Sequence, residues 1–377
     1  MRLVINCSDI KATGATQVSI SFINECIRHT GNEYFVFASS TIARQLEIDK
    51  FPSNFHFYIF DYKPFFNKMG LKSWRKLIEL EKIIRPDCVF SVFGPSVWKP
   101  SAPHLMGYAY PYYVYPESPF FSIISAKRRF KIKLHKAFHK YYLERNGEHY
   151  VCETEDVSRR LPGFIRCKTG NIYTVTNSYN HFFRGVTSSG DKMLPLKADG
   201  EFRFVTLSSF ADHKNLIILD KVIPLLLEKY PGIYCSFVLT IDETLFQQSF
   251  SKIARSRIIN LGRIRAADCP KVYDECDAMF LPTLMECFSA SYAESMKMGK
   301  PVLTSDLAFA HTVCQDAAVY FNPMDPDEIA FKIYSLVTDP ILQKKMVLNG
   351  HYRLAAFDTP ETRAFKYLEF CKQISKK

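Results

Sequence analysis

Short apolar runs rich in β-branched and aromatic residues recur along the whole chain, and longer stretches with helical periodicity separate them. This alternation predicts repeated strand–helix–strand units whose strands are parallel and buried. The runs occupy residues 3–6, 34–37, 55–60, 88–93, 149–152, 171–175, 202–207, 234–240, 258–261, 278–281, 301–304 and 318–321. The sequence therefore predicts an α/β fold of parallel sheets covered by helices.

The chain is long enough for two such sheets. Its 377 residues exceed one ordinary core and suit two domains of about 150–200 residues each. Residues 185–200 are rich in turn formers and lack periodicity, which is typical of a linker. We place an N-terminal Rossmann-like domain over residues 1–185, a linker over 186–200 and a C-terminal Rossmann-like domain over 201–358. Residues 359–377 form an amphipathic helix that we expect to cross back to the N-terminal domain.

Cysteine usage indicates a reducing compartment. The eleven cysteines form no Cys-x-x-Cys pair and their number is odd, which argues against a disulfide framework and against a zinc site. The start of the chain lacks the apolar core of a secretion signal, and no apolar window reaches the roughly 18 residues of a spanning helix. We expect a cytoplasmic protein that is soluble or peripheral at the inner face of a membrane.

Residues 281–304 carry the most informative pattern, which predicts a strand, a loop, a helix and a second strand. The helix runs from about Ser289 to Met298, and Gly299 ends it. Glu286 then lies in the loop at the carboxyl end of a strand, where ligands bind in open α/β sheets. Glu294 lies within the helix.

The amino end of this helix offers free N–H groups on Phe288, Ser289 and Ala290, which form a site for phosphate. One glutamate would accept hydrogen bonds from sugar hydroxyls and the other from ribose hydroxyls, with a diphosphate between them. This describes a nucleotide sugar. The alternative is that Glu286 is a solvated loop residue and that Ser291-x-x-Glu294 is only a capping box.

The run from Glu286 to Glu294, followed by Met-Gly-Lys-Pro-Val, resembles the signature of the retaining glycosyltransferases of family 4. The preceding Leu-Pro-Thr and residues 316–323 are also similar to that family. The resemblance implies the GT-B fold, two Rossmann-like doubly wound domains that face a central cleft, with the donor held by the C-terminal domain. It implies that Glu286 orients the donor sugar and that Glu294 holds the ribose.

Residues 204–216 resemble the first strand and diphosphate loop of the same domain in this family. Lys214 matches the lysine that neutralises the donor diphosphate; the alternative is a surface residue at the start of the following helix. Ser208 and Ser209 stand where the family has Gly-Arg, so one expected cation is missing, and Ser209 occupies the donor-binding position.

Two further positions extend the candidate donor site. Arg263 follows Gly262 and supplies a second positive charge, or it is a solvent-facing residue. In the N-terminal half, residues 11–17 resemble the small-residue loop of the family. Gly14 would let the backbone approach the phosphates, although a plain strand-to-helix turn uses the same residue, and Ala15 replaces a second glycine.

No catalytic histidine is carried across from the family, because Ala109 or Tyr110 stands where it is expected. Asp325-Pro-Asp327 opens a predicted helix and is interpreted as a cap. We expect neither a metal nor another cofactor, since helix amides and Lys214 can neutralise the diphosphate.

Residues 127–145 hold eight Lys and Arg side chains with aromatic residues between them, in a chain of net charge +11. Such a helix can lie on an anionic membrane, bind a polyprenyl-diphosphate acceptor or bind nucleic acid, or it is simply solvated. No separate nucleic-acid motif is present, and we favour the membrane. The tyrosines of residues 108–116 stack on acceptor sugars or belong to the core.

These features predict a retaining glycosyltransferase that moves a sugar from a UDP- or GDP-linked donor to a glycan or lipid-linked acceptor, as in bacterial surface polysaccharide synthesis. One alternative is a non-catalytic nucleotide-sugar-binding subunit, which the missing arginine and histidine favour. Another is a sugar-nucleotide epimerase of the same fold. An NAD dehydrogenase is disfavoured, because no Gly-x-Gly-x-x-Gly follows any strand.

Overall fold

The computed structural model describes residues 1–11, 13–61, 68–185 and 192–376. The chain forms two compact units. The first contains Met1–Val114, Lys127–Asn180 and Asp358–Lys377, and the second contains Tyr115–Ala126 and His181–Phe357. Of the predicted linker, residues 186–191 lie outside the described residues, and residues 192–200 belong to the second unit.

A parallel sheet forms the centre of the first unit, in the order β3-β2-β1-β4-β5-β6-β7. Its described strands are β1 (Arg2–Cys7), β2 (Glu33–Ser39), β3 (Phe55–Phe60), β4 (Cys88–Ser91), β5 (His104–Tyr108), β6 (His149–Cys152) and β7 (Ile172–Thr174). Their residues are mostly buried on both faces, as expected for parallel strands with helices on each side.

A second parallel sheet forms the centre of the second unit, in the order β10-β9-β8-β11-β12-β13. Its described strands are β8 (Glu201–Thr206), β9 (Tyr234–Leu239), β10 (Ile258–Asn260), β11 (Ala278–Leu281), β12 (Val302–Ser305) and β13 (Ala318–Phe321). The prediction of two doubly wound α/β domains is confirmed.

The described α-helices lie between and after these strands. They are α1 (Thr13–Cys26), α2 (Ser40–Ala43), α3 (Lys68–Ile84), α4 (Pro111–Val114), α5 (Phe120–Ile123), α6 (Ala126–Asn146), α7 (Glu155–Arg160), α8 (Leu219–Lys229), α9 (Glu243–Ser249), α10 (Lys252–Arg255), α11 (Cys269–Asp274), α12 (Ala290–Lys297), α13 (Ala308–Cys314), α14 (Pro326–Thr338), α15 (Pro340–Ala355) and α16 (Pro360–Ser375). In the described part of the chain, none is both long and apolar enough to cross a membrane.

The last helix, α16, packs into the first unit against α1 and β4. Three buried rings join these elements: Tyr367 lies 5.4 Å from Phe22 and 5.0 Å from Phe90, measured between ring centroids. Arg363 of α16 is also buried, and its guanidinium donates to the Ser21 hydroxyl at 2.7 Å. The final helix therefore completes the core of the first unit.

Aromatic rings also hold the core of the second unit. Phe204 stacks on Phe237 at 5.4 Å, Phe237 lies 5.6 Å from Phe280, and Phe280 stacks on Phe321 at 5.5 Å. These four residues come from β8, β9, β11 and β13, so one aromatic layer spans most of the sheet.

The strand order of the second sheet reverses between β8 and β11. From β8 the chain adds β9 and β10 on one side, and from β11 it adds β12 and β13 on the other. The two strands pair directly, with Phe204 opposite Ala278 and Val205 opposite Met279. Loops at the carboxyl ends of strands diverge at such a point and leave a crevice for a ligand.

Candidate functional site

The loop after β11 begins at this point of the sheet and leads into the helix α12. β11 ends at Leu281, α12 begins at Ala290 with Ser289 as its N-cap, and Gly299 follows the helix with φ +63°. Only glycine adopts this left-handed conformation without strain. The predicted helix over residues 289–298, ended by Gly299, is therefore confirmed.

Glu286 is not a solvated loop residue, so that alternative is wrong. Only 11% of its side chain is exposed, and its carboxylate forms an ion pair with the Lys214 ammonium, whose side chain is 14% exposed. The Thr283 hydroxyl lies 3.0 Å from the same carboxylate. The structure thus brings Lys214 and Glu286, two of the predicted site residues, into direct contact.

Lys214 is placed by the turn that follows β8. It ends a short 3-10 helix, Asp212–Lys214, and the next residue, Asn215, has left-handed backbone with φ +54°. The side-chain amide of Asn215 donates through Nδ2 to the backbone carbonyl of Pro323 at 2.9 Å. Asparagine tolerates this conformation better than most residues, and its side chain fixes the turn that presents Lys214.

Hydrogen bonds through His213 tie the two loops together. The Leu284 N–H donates to the His213 carbonyl at 2.7 Å, and the Thr283 hydroxyl lies 3.0 Å from that carbonyl. A hydroxyl carries one proton, so Thr283 shares it between this carbonyl and the Glu286 carboxylate. The spacing of Lys214 and Glu286 is therefore set by backbone contacts and by one buried hydroxyl.

Glu294 lies in α12 and is half-buried. Its carboxylate lies close enough to α11 to affect two side chains there. Burial first, and the Glu294 charge second, raise the pKa of the Cys269 thiol to about 12. The same two causes raise the pKa of the Tyr273 phenol well above its usual value. Ser291 lies inside the helix, because Ser289 is the N-cap. The capping-box alternative for Ser291 and Glu294 is therefore wrong.

The amino end of α12 lacks a side-chain cap from its N-cap residue. Ser289 is buried, but its side chain makes no capping hydrogen bond. Phe288 packs edge-on against Phe357, with ring centroids 5.8 Å apart, and Ala290 is the first helical residue. Amides at a helix start attract anions, so this end can hold a phosphate.

Ser209, Arg263 and Gly14 are the remaining predicted positions, and all three are exposed. Ser209 is exposed, and its carbonyl accepts from the Ala211 N–H at 3.0 Å. Arg263 is exposed after Gly262, which has φ +67°.

Gly14 is exposed in the first turn of α1, in the first unit. The predicted loop over residues 11–17 is wrong from residue 13 onward, because the helix begins there. A donor-binding role for Ser209, Arg263 and Gly14 stays a prediction.

His104 is a structural residue in β5. Its ring is buried, with Nε2 2.9 Å from the Ser91 hydroxyl and Nδ1 2.7 Å from the Asn146 carbonyl. Burial lowers its pKa to about 4, so the ring is neutral near pH 7. Both ring nitrogens are therefore used inside the core.

Sequence reasoning missed a contact from the first half of the chain. The segment Tyr115–Ala126 belongs to the second unit, and the buried Ser118 hydroxyl donates to the carbonyl of Leu284 at 2.6 Å. Tyr115 packs edge-on against Phe309, with ring centroids 6.1 Å apart. No local pattern signals a bond between positions 166 apart.

Comparison with known proteins identifies the fold. Residues 201–339 match the family described as Glycosyl transferases group 1. The whole chain matches a glycosyltransferase from Rickettsia africae ESF-5 with a TM-score of 0.74 and 14% identity, covering 100% of this chain and 98% of that chain. The chain has the GT-B fold.

Other GT-B structures agree. HepE from Anabaena, solved in complex with UDP and glucose, matches with a TM-score of 0.72 and 14% identity over 99% of this chain and 100% of that one. WaaG, a glycosyltransferase involved in lipopolysaccharide biosynthesis, matches with a TM-score of 0.72 and 12% identity. The match covers 98% of this chain and 99% of that chain. A search of curated proteins finds no match. The family match includes Lys214, Glu286 and Glu294, and with the GT-B fold it supports a glycosyltransferase.

Proposed function

We propose that this protein is a retaining glycosyltransferase whose donor is a nucleotide-diphosphate sugar. The observation that carries the proposal is the ion pair of Lys214 and Glu286, at the point where the strand order reverses between β8 and β11. It lies within the segment that matches the glycosyltransferase family. An ammonium, a carboxylate and a helix amino end are the groups that a sugar diphosphate requires.

Each group has a distinct role in the proposed reaction. The Lys214 ammonium and the backbone amides of Phe288, Ser289 and Ala290, around the amino end of α12, stabilise the negative charge that develops on the departing diphosphate. Glu286 accepts hydrogen bonds from donor-sugar hydroxyls, and Glu294 accepts them from the ribose. These contacts fix the anomeric carbon before reaction.

The acceptor hydroxyl attacks the anomeric carbon on the face that the diphosphate leaves. The bond from that carbon to the acceptor oxygen forms as the bond to the diphosphate oxygen breaks, and the acceptor proton passes to the leaving diphosphate. The anomeric configuration is retained. No protein nucleophile, metal or other cofactor takes part in this scheme.

The donor is proposed to carry UDP or GDP. The HepE structure, solved with UDP and glucose, makes UDP the first nucleotide to test. We further propose a glycan or polyprenyl-diphosphate-linked acceptor in bacterial surface polysaccharide synthesis, a role related to the one that WaaG is described with.

A membrane contact through α6 is part of the proposal. Phe130 is 63% exposed and Leu134 56% exposed on this helix, and in the described part of the chain no carboxylate pairs with Lys131 or Lys133. Exposed apolar side chains among unpaired cations suit an anionic bilayer surface. The protein would then act in the cytoplasm, at the inner face of the membrane.

Thermal-shift measurements against UDP-, GDP-, ADP- and CDP-sugars test the donor assignment. One nucleotide class should raise the melting temperature of the native chain and not that of Lys214→Ala or Glu294→Ala. Lys229→Ala is the matched control, because Lys229 pairs with the exposed Asp327 on another part of the second unit. The site assignment fails if the control and the site variants respond alike.

Product analysis separates the proposed transfer from its alternatives. Proton NMR of a reaction with the identified donor and bacterial lipid extract should show a new glycoside with the anomeric configuration of the donor. An altered nucleotide sugar without acceptor would indicate an epimerase. Binding without any product would indicate a non-catalytic subunit.

A further inference from the structure

A cluster of tyrosine, histidine and lysine lies at the carboxyl edge of the first sheet. Tyr110 follows β5 by two residues and stacks on Tyr113, with ring centroids 5.6 Å apart and planes 14° apart. His139 of α6 meets the Tyr110 ring edge-on at 4.7 Å. The carboxyl edge of a parallel sheet is where doubly wound folds bind ligands, so the position suits a binding site.

Tyr113 forms hydrogen bonds with two polar side chains of α6. Its hydroxyl lies 3.0 Å from His139 Nδ1, and its carbonyl accepts from the Lys136 ammonium at 3.3 Å. Burial raises the pKa of the Tyr113 phenol well above its usual value, so this hydroxyl keeps its proton near pH 7. When the His139 ring accepts a hydrogen bond from this hydroxyl at Nδ1, Nε2 carries the ring proton and is a hydrogen-bond donor.

The His139 ring is neutral near pH 7, because burial, and after it the neighbouring His135, lowers its pKa to about 4. Lys136 is half-buried and lies 5.2 Å from the Phe164 ring centroid. Burial, and after it the Lys140 charge, lowers the pKa of Lys136.

Lys136 lacks a protein counter-ion: in the described ranges of the chain, no carboxylate pairs with it, whereas Lys140 lies 3.7 Å from Glu144. A partly desolvated cation without an anion is unfavourable. A ligand anion would offset that cost.

We infer that Tyr110, Tyr113, Lys136 and His139 form an acceptor subsite for a sugar that carries a phosphate. The Lys136 ammonium binds the phosphate, Nε2 of His139 donates a hydrogen bond to the phosphate or to an adjacent hydroxyl, and Tyr110 supplies an aromatic wall for the ring. The inference rests on the proposed function, since it gives the first unit the acceptor.

The same chemistry, a phosphate beside a hydroxylated ring, occurs in a soluble sugar phosphate and in a phosphatidylinositol headgroup. Calorimetric titration with a panel of hexose 1-phosphates, in the presence of saturating UDP to fill the donor site, tests the soluble source. Inorganic phosphate and methyl glucoside show whether both parts of the ligand are needed. We expect at least one hexose 1-phosphate to bind more tightly than either.

Lys136→Gln should weaken that binding about tenfold, the effect of one charge-assisted hydrogen bond. His139→Gln and Tyr113→Phe should weaken it less. Lys140→Gln is the matched control, because its charge lies one turn away on the same helix, and it should leave binding unchanged. Circular dichroism and melting curves verify that each variant folds.

Vesicle flotation tests the lipid source. Phosphatidylcholine vesicles that contain phosphatidylinositol are compared with vesicles that contain phosphatidylserine at equal charge. A preference for phosphatidylinositol that Lys136→Gln removes assigns the subsite to a lipid headgroup, and soluble binding alone assigns it to a free sugar phosphate. The inference is overturned if no hexose 1-phosphate and no phosphatidylinositol vesicle is preferred, or if Lys136→Gln and Lys140→Gln behave alike.

Failure of this inference is distinguishable from failure of the proposed function. Nucleotide-sugar binding depends on Lys214 and Glu294 in the second unit, so Lys136→Gln should leave it unchanged. A chain that binds donors normally but shows no selectivity for sugar phosphates refutes the acceptor subsite alone.

Discussion

The Glu286 carboxylate is paired with the Lys214 ammonium, although 72 positions separate the two residues in the sequence. Each belongs to a loop at the carboxyl end of a strand, and the two strands are neighbours only because the order reverses between β8 and β11. The fold therefore brings together a cation and an anion that no local pattern connects.

Removing one member of this pair should destabilise the protein as well as weaken donor binding. Lys214→Met leaves a nearly buried carboxylate without its partner, which costs about 3 kcal/mol in the free energy of unfolding. Chemical denaturation of Lys214→Met, Glu286→Gln and the double variant measures the coupling. The double variant should be more stable than the sum of the single effects predicts; additive losses would show that the pair does not interact.

Thr283 should act as a positioning residue. Thr283→Val keeps the shape of the side chain but removes the hydroxyl that lies 3.0 Å from both Glu286 and the His213 carbonyl. We expect about 1 kcal/mol less stability and weaker donor binding, both restored by Thr283→Ser. Urea denaturation and donor titration check this. Equal donor binding by the valine and serine variants would contradict it.

Ser118 should support the Glu286 loop from a distant part of the sequence. Ser118→Ala leaves the buried carbonyl of Leu284 without this donor, which costs about 1 kcal/mol and weakens donor binding slightly. Ser122→Ala is the control, because Ser122 is exposed in the same segment and its hydroxyl donates to the nearby Pro119 carbonyl. Identical melting temperatures for the two variants would refute the role of Ser118.

His104 should make stability fall in mild acid. The pKa of the folded-state ring is about 4, below the unfolded value of about 6.5, so the unfolded chain binds the proton first. The stabilising contribution is fully present above pH 6.5 and is lost as pH falls towards 4, by up to about 3 kcal/mol. Urea denaturation from pH 7.5 to pH 4.5 should give a shallower pH slope for His104→Gln than for the native chain. Parallel slopes would contradict the assignment.

Sugar transfer should not require a divalent metal, because Lys214 and the α12 amides neutralise the leaving diphosphate in the proposed scheme. Turnover of the identified donor should be the same in EDTA and in magnesium. A loss of activity in EDTA that magnesium restores would contradict this scheme.

The sequence alone was sufficient to predict both sheets, because buried parallel strands form apolar runs that differ clearly from the helices between them. The helix after Glu286 was predicted to within one residue at each end, since Gly299 and the N-terminal loop mark its limits. β5 was not recognised as a strand, because His104 opens it and Gly107 interrupts its five residues.

The contacts of the site were less predictable. The strand–loop–helix pattern indicates Glu286 and Glu294, and resemblance to a family indicates Lys214, but the ion pair of Lys214 and Glu286 depends on strand order. Ser118 bonds Leu284 only because residues 115–126 pack into the second unit, and Thr283 enters the sequence analysis only within the Leu-Pro-Thr run that is similar to the family. Contacts between side chains that are far apart in the sequence produce no hydrophobic periodicity from which they could be predicted.

Calorimetric titration of the best nucleotide sugar tests the central claim most directly. The native chain and Lys229→Ala should bind it equally, whereas Lys214→Ala and Glu294→Ala should each bind it at least about tenfold more weakly, since each loses a charged contact. Full-affinity binding by both site variants, or no binding of any nucleotide sugar by the native chain, would contradict a donor site at Lys214, Glu286 and Glu294.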